Sequence, residues 1–150
     1  MSQDAEVLRA GFDLGFTYTR STGPVIGQFL TSLRDQQLTG IKGSKGQVIC
    51  PPVEYDPVTA EELTEMVDLA DTGTVKGWSW VTEPRPKHML DKPFAWALIQ
   101  VDGADTTLLH MVDAGAEENM STGMRVKVRW APETTGFITD IACFEPVAAN

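Results

Sequence analysis

From Pro24 the apolar positions Val25, Ile26, Phe29, Leu30 and Leu33 recur at the three- and four-residue intervals of a helix, and the run stops at Gly40. Ser21 or Thr22 can cap it, and Pro24 suits its first turn, where a missing N–H breaks no bond. One amphipathic helix is therefore expected, inside a helical arm spanning residues 17–39. Residues 1–16 mix small, polar and isolated apolar groups without a strong period, as in an extended or poorly ordered arm able to order against a partner.

Further along, the period shortens. Residues 74–82, 93–101, 107–113, 124–130 and 137–144 are rich in Val, Ile, Trp, Phe and Thr, and Gly, Asp or Pro separates them. Asp102-Gly103-Ala104-Asp105 is a hairpin signal, and Gly123 and Gly136 also precede strands. Five short antiparallel strands with one long excursion, 83–92, predict a small closed barrel of OB type over residues 73–150. Between helix and barrel the signals conflict at 59–71. Thr59-Ala60-Glu61-Glu62 is a capping box, yet Leu63, Glu65, Val67 and Leu69 alternate, so a short helical turn followed by a strand is expected.

Composition narrows the function. A chain of 150 residues that is 42% apolar can bury a core as one domain, or as one small barrel with an appended arm. Only Cys50 and Cys143 are present, without a signal-peptide pattern, which favours a reduced, cytoplasmic protein. No apolar run has the length to cross a bilayer. The net charge of −9, from 12 basic and 21 acidic residues, argues against nucleic acid and against anionic membrane surfaces.

Residues 40–72 have the frame of a zinc-binding turn without its ligands. In a zinc knuckle the ligands are spaced C-x-x-C, with Gly after the second Cys so that the chain can curl around the ion. Here Lys42 and Lys45 hold those places ahead of Gly46, and a second pair beyond the Pro51-Pro52 corner falls on Asp56 and Thr59. Charged ammonium groups have no lone pair to donate, and Asp with Thr alone would not hold zinc, so a metal-free segment is expected.

Several short motifs occur in a definite order: Gly23-Pro24, Phe29-Leu30 and Leu33-Arg34, then Gly46-x-Val48, Pro51-Pro52, Pro57 and Gly73-x-Val75, then Gly123-Met124-x-Val126-x-Val128 and Phe144-Glu145-Pro146. Together, over roughly residues 17–146, they resemble the zinc-ribbon/OB-fold accessory family of thiolase-like acyl-CoA enzymes, the domain of unknown function thirty-five family. The resemblance implies a mainly β chain: a five-stranded OB-fold barrel preceded by an N-terminal helix and a degenerate, metal-free rubredoxin-like zinc-ribbon segment. It also implies a non-catalytic accessory subunit in a hetero-oligomer with a thiolase, or with a thiolase-like aldolase of steroid side-chain degradation, and possible contact with a hydratase. Acyl-CoA would then be the partner's substrate, and no cofactor would be bound directly. With the ligands lost, any role of zinc in relatives does not carry over.

The candidate residues each have a plain and a functional reading. The helix face of Val25, Ile26, Phe29, Leu30 and Leu33 packs on the rest of the chain or meets a partner. In the excursion, Met89 and Leu90 are awkward in water and suggest a protein contact. Lys42 and Lys45, among Gly40, Gly43 and Gly46, together with Arg85 and Lys87, are the cations available for a coenzyme A phosphate; a solvated loop and a relic turn are the alternatives.

His88 and His110 are the only imidazoles. His110, in a predicted strand, reads as a strand histidine, and Cys50 and Cys143 read as packed thiols. Trp78, Trp80, Trp96 and Trp130 could form a stacking platform, but few cations accompany them, and core or interface aromatics are preferred. Nothing assembles an active site. A stand-alone acyl-CoA enzyme using His110 or His88, and an OB-fold nucleic-acid-binding module, are the other two functional classes.

Overall fold

The computed structural model describes residues 7–148. Helix α1, Pro24–Arg34, starts after Gly23, whose φ of 83° suits glycine. Neither Ser21 nor Thr22 caps it. The carboxylate of Glu54 does so instead, accepting hydrogen bonds from the backbone N–H of Val25 at 3.1 Å and of Ile26 at 3.2 Å. A negative group thus satisfies N–H groups that have no partner within the helix, at the positive end of its dipole. The helix also ends earlier than its sequence pattern suggests. Gln36, at φ 57°, turns the chain, and Leu38–Lys42 becomes strand β1. Gly40 lies inside that strand, where a Cβ would sit 2.9 Å from the carbonyl oxygen of Ile49. The glycine permits close strand approach and does not end the helix.

Strand β1 is the centre of a three-stranded antiparallel sheet with β2, Val48–Ile49, and β3, Met66–Leu69. The expected helical turn at Thr59 is absent. Ala60 adopts φ 60°, Glu62 bridges to Tyr55, and the Thr59 hydroxyl lies 2.9 Å from that of Ser44. Local capping signals yield there to tertiary hydrogen bonds, while the strand expected after the turn does form.

Five strands close into a barrel in the order β4-β5-β6-β8-β7: β4 Thr72–Val81, β5 Phe94–Val101, β6 Leu108–Val112, β7 Arg125–Trp130 and β8 Ile141–Pro146. Four of the neighbour pairs are antiparallel. The fifth, β6 with β8, is parallel at Val112 and Phe144, so the barrel is mixed and not wholly antiparallel as expected. Residues 138–140, expected in the last strand, form a single 3-10 turn before β8.

Alternation along β5 sends Ala95, Ala97, Ile99 and Val101 inward, where they meet Val75, Val112, Val126, Val128 and Phe144. Small side chains beside large ones fill the taper of such a barrel. Phe29 and Leu33 of α1 belong to this same core, and Val25 packs with Ile41, Ile49 and Leu63 beneath the small sheet. Three of the five helix residues considered for a partner are therefore spent inside the molecule.

Candidate functional site

The turns at 42–45 and 56–59 are joined through one carboxylate. Asp56 is buried and accepts hydrogen bonds from the backbone N–H of Ser44 at 2.9 Å, Val58 at 2.8 Å and Thr59 at 3.0 Å, and from Gln47 Nε2 at 3.1 Å. These bonds, led by those from the three backbone amides, hold its carboxyl at about 2. With its oxygens engaged by four donors, Asp56 has little left to offer a metal, and Lys42 pairs with Glu65 at 3.1 Å. Among the described residues no three His, Cys, Asp or Glu side chains gather as a metal site. Lys42, Lys45, Asp56 and Thr59 do not fit a zinc ion: the carboxylate joins the two turns itself.

The cations considered for an anion site are divided between two places. Lys42 lines a cleft with Glu61, Glu62 and Glu65, and three carboxylates there oppose a phosphate. Lys45 and Lys87 are exposed. Arg85 borders a second cleft, of about 440 Å³, with Glu83, His88, Trp80 and Trp96.

The excursion 82–93 is held down over the outer face of β5. Leu90 packs with Phe94, Met111 and Cys143, and the His88 ring stands edge-on to Phe94 and Trp96 with centroids 5.2 and 6.2 Å away. His88 Nδ1 accepts a hydrogen bond from the Arg85 N–H at 3.1 Å. At the end of the loop, Lys92 Nζ is 2.9 Å from Asp113 Oδ2, which Arg129 also binds at 2.8 Å. Burial raises the Asp113 carboxyl, but its bonds to Arg129 and Lys92 outweigh that and hold it below the usual range. Met89 stays exposed.

No nucleophile and base meet at either histidine. His110 points into the barrel interior, 5% exposed and edge-on to Phe144 at 5.7 Å, and burial lowers its pKa. Burial also pushes the Cys50 thiol up to about 12 and Cys143 up to about 11, which leaves both as inert packing groups. Trp78 and Trp80 pack against the barrel core, with edges reaching the surface.

An exposed apolar group lies where the loop 131–140 meets α1. Thr134 donates its hydroxyl to the carbonyl oxygen of Arg34 at 2.7 Å, which fixes the loop 131–140 beside α1. Asp140, buried, accepts from the backbone N–H of Thr135, Gly136 and Phe137 at 2.9, 2.7 and 3.2 Å and so sets the loop's shape. The result displays Phe137, 62% exposed, and Ile138, 44% exposed, next to Ile26, 39% exposed, and the half-buried Leu30. Sequence reasoning found Ile26 and Leu30 but missed Phe137 and Ile138, which it assigned to a strand. The Gly136-Phe137 step before Asp140 carried a turn signal that would have located them.

Residues 66–131 match the model of the ChsH2 C-terminal OB-fold domain. The matched stretch takes in β3 to β7, so most of the barrel is similar to that OB-fold domain. Among solved structures, a DUF35-family protein of unknown function from Sulfolobus solfataricus is similar at 23% identity and a TM-score of 0.58, over 71% of this chain and 77% of that one. A structure described as the Ltp2-ChsH2(DUF35) aldolase is similar at 18% identity and a TM-score of 0.58, over 79% of this chain and 91% of that one. No curated protein sequence matches the chain. At these identities the likenesses show a shared fold. Among the described residues no helix is long and apolar enough to cross a membrane.

Proposed function

We propose that this chain is a non-catalytic subunit that binds and supports a thiolase-superfamily acyl-CoA enzyme. The observation that carries the reading is the apolar strip of Ile26, Leu30, Phe137 and Ile138, on a chain in which no nucleophile and base come together among the described residues. Exposed apolar side chains rimmed by polar ones mark protein contacts. The similarity to a chain described within an Ltp2-ChsH2 aldolase supports an enzyme as the partner. In its finer form, the partner is a thiolase or a thiolase-like aldolase acting on steroid side-chain CoA thioesters, with a hydratase as a further neighbour. Binding would withdraw the strip from water and steady the wall of the enzyme's substrate channel.

Mechanistically, α1 serves as a rigid mount. Its inner face is locked by Phe29 and Leu33 in the barrel core and its start is held by Glu54, so the outer face is presented without an ordering cost at binding. Co-expression with a thiolase-superfamily enzyme from the same source tests the reading. Co-elution lost in Ile26→Asp with Phe137→Asp is expected; turnover of a thioester by the isolated chain would overturn it.

A further inference from the structure

Strand β4 pairs with β5 along its whole length but with β7 only from Thr72 to Thr74. Val75 adds backbone bonds to Met124 and Gly123, and from Lys76 to Val81 no hydrogen bond among the described residues reaches the other edge. Along these six residues, every second one therefore turns an unpaired N–H and C=O to the open edge, beside the half-buried Trp78 and Trp80. A free edge of this kind is a template for an added strand.

The same chain carries a segment suited to it. Phe12, Leu14, Phe16 and Tyr18 occupy every second position, separated by Asp13, Gly15, Thr17 and Thr19, so that in an extended chain all four large side chains fall on one face. They are between 66% and 85% exposed, and none of the hydrogen bonds among the described residues involves residues 7–20. Dividing the arm from the helical region at residue 16 cut this alternation and hid it from the sequence analysis. Threonine and aromatic residues at these positions favour a strand, and no proline interrupts the run.

We propose that residues 12–19 of one copy pair with the free edge of β4 on a second copy, and reciprocally, forming an arm-exchanged homodimer. A strand and a vacant edge that stay unpaired within one chain satisfy each other twice under a twofold axis. The arm's apolar face lies over Trp78 and Trp80, and the cleft bounded by Trp80, Arg85, His88 and Trp96 receives an aromatic ring at the end of the edge. The arrangement concerns the chain by itself and does not depend on the enzyme partner.

The full chain, measured by light scattering on a sizing column across the micromolar range, is expected to have twice the monomer mass. Phe12→Ser with Phe16→Ser should return it to monomer with unchanged circular dichroism, since the arm touches no part of the core. Mixing a Thr17→Cys chain with a Ser79→Cys chain in the presence of a bismaleimide should link the two, because the native cysteines are buried. A monomer at every concentration, a dimer that survives loss of both phenylalanines, or a link formed only within a doubly substituted chain would each overturn the exchange.

Discussion

The carboxylate of Asp56 accepts the backbone N–H of Ser44 at 2.9 Å, joining two turns twelve residues apart. A buried carboxylate with several donors can hold two turns together through directional, charge-assisted bonds.

Substituting Asp56 removes the join. Asp56→Ala leaves the N–H groups of Ser44, Val58 and Thr59 without their acceptor, and should lower the thermal midpoint and speed hydrogen exchange in residues 42–47 and 56–61. Native exchange rates in this region would contradict the role.

Acid should weaken the same join. The Asp56 carboxyl is held at about 2, below its ordinary 3.8, so its contribution is fully present above the unfolded value and is lost as pH falls through the folded one. Denaturation midpoints followed from neutral pH to pH of about 2 should fall less steeply in Asp56→Asn than in the parent chain. Equal slopes would show that the carboxylate's charge does not matter.

Metal removal should do nothing. With Asp56 engaged by four donors and Lys42 paired with Glu65, the purified chain should contain no stoichiometric zinc by elemental analysis, and a chelator should leave its thermal midpoint unchanged. A chelator-induced loss of structure would contradict the carboxylate join.

The helix should divide into two functional faces. Leu33 is fully buried, and Leu33→Ala should cost about 2–5 kcal/mol of stability through the cavity it leaves, as measured by denaturant unfolding. Ile26→Asp, on the outer face, should change stability by no more than about 0.5 kcal/mol. A large loss for Ile26→Asp would place that face in the core.

The long loop should depend on Asp113. Asp113→Asn weakens the hold on Lys92 and Arg129, and limited trypsin digestion should then cut faster after Lys87 while the barrel stays intact. Unchanged cleavage would show that Leu90 and His88 suffice to keep the loop down.

How much of this was legible depended on the range of the interactions concerned. The barrel strands announced themselves because inward and outward positions alternate along residues 94–101 and 125–130, a pattern set by each strand's own neighbours. The helix was visible for the same reason, but its end was not, since Gly40 is required by the approach of β2 and not by a helix stop. The Thr59 capping box was a valid local signal that lost to bonds with Ser44 and Asp56, partners far along the chain. Nothing in the sequence distinguishes Glu54, Asp113 and Asp140 from other acids, because only the fold brings their donors to them. Of the proposed contact strip, Ile26 and Leu30 could be found by period, whereas Phe137 and Ile138 needed the loop geometry that Asp140 imposes.

Co-purification with a thiolase-superfamily enzyme from the same source is the most direct measurement. The tagged chain should retain the enzyme in fixed stoichiometry, and the doubly substituted Ile26→Asp, Phe137→Asp chain, equally folded by circular dichroism, should retain none. Equal retention by both chains would remove the strip from the interface, and failure of the native chain to retain the enzyme or alter its turnover would contradict the account as a whole.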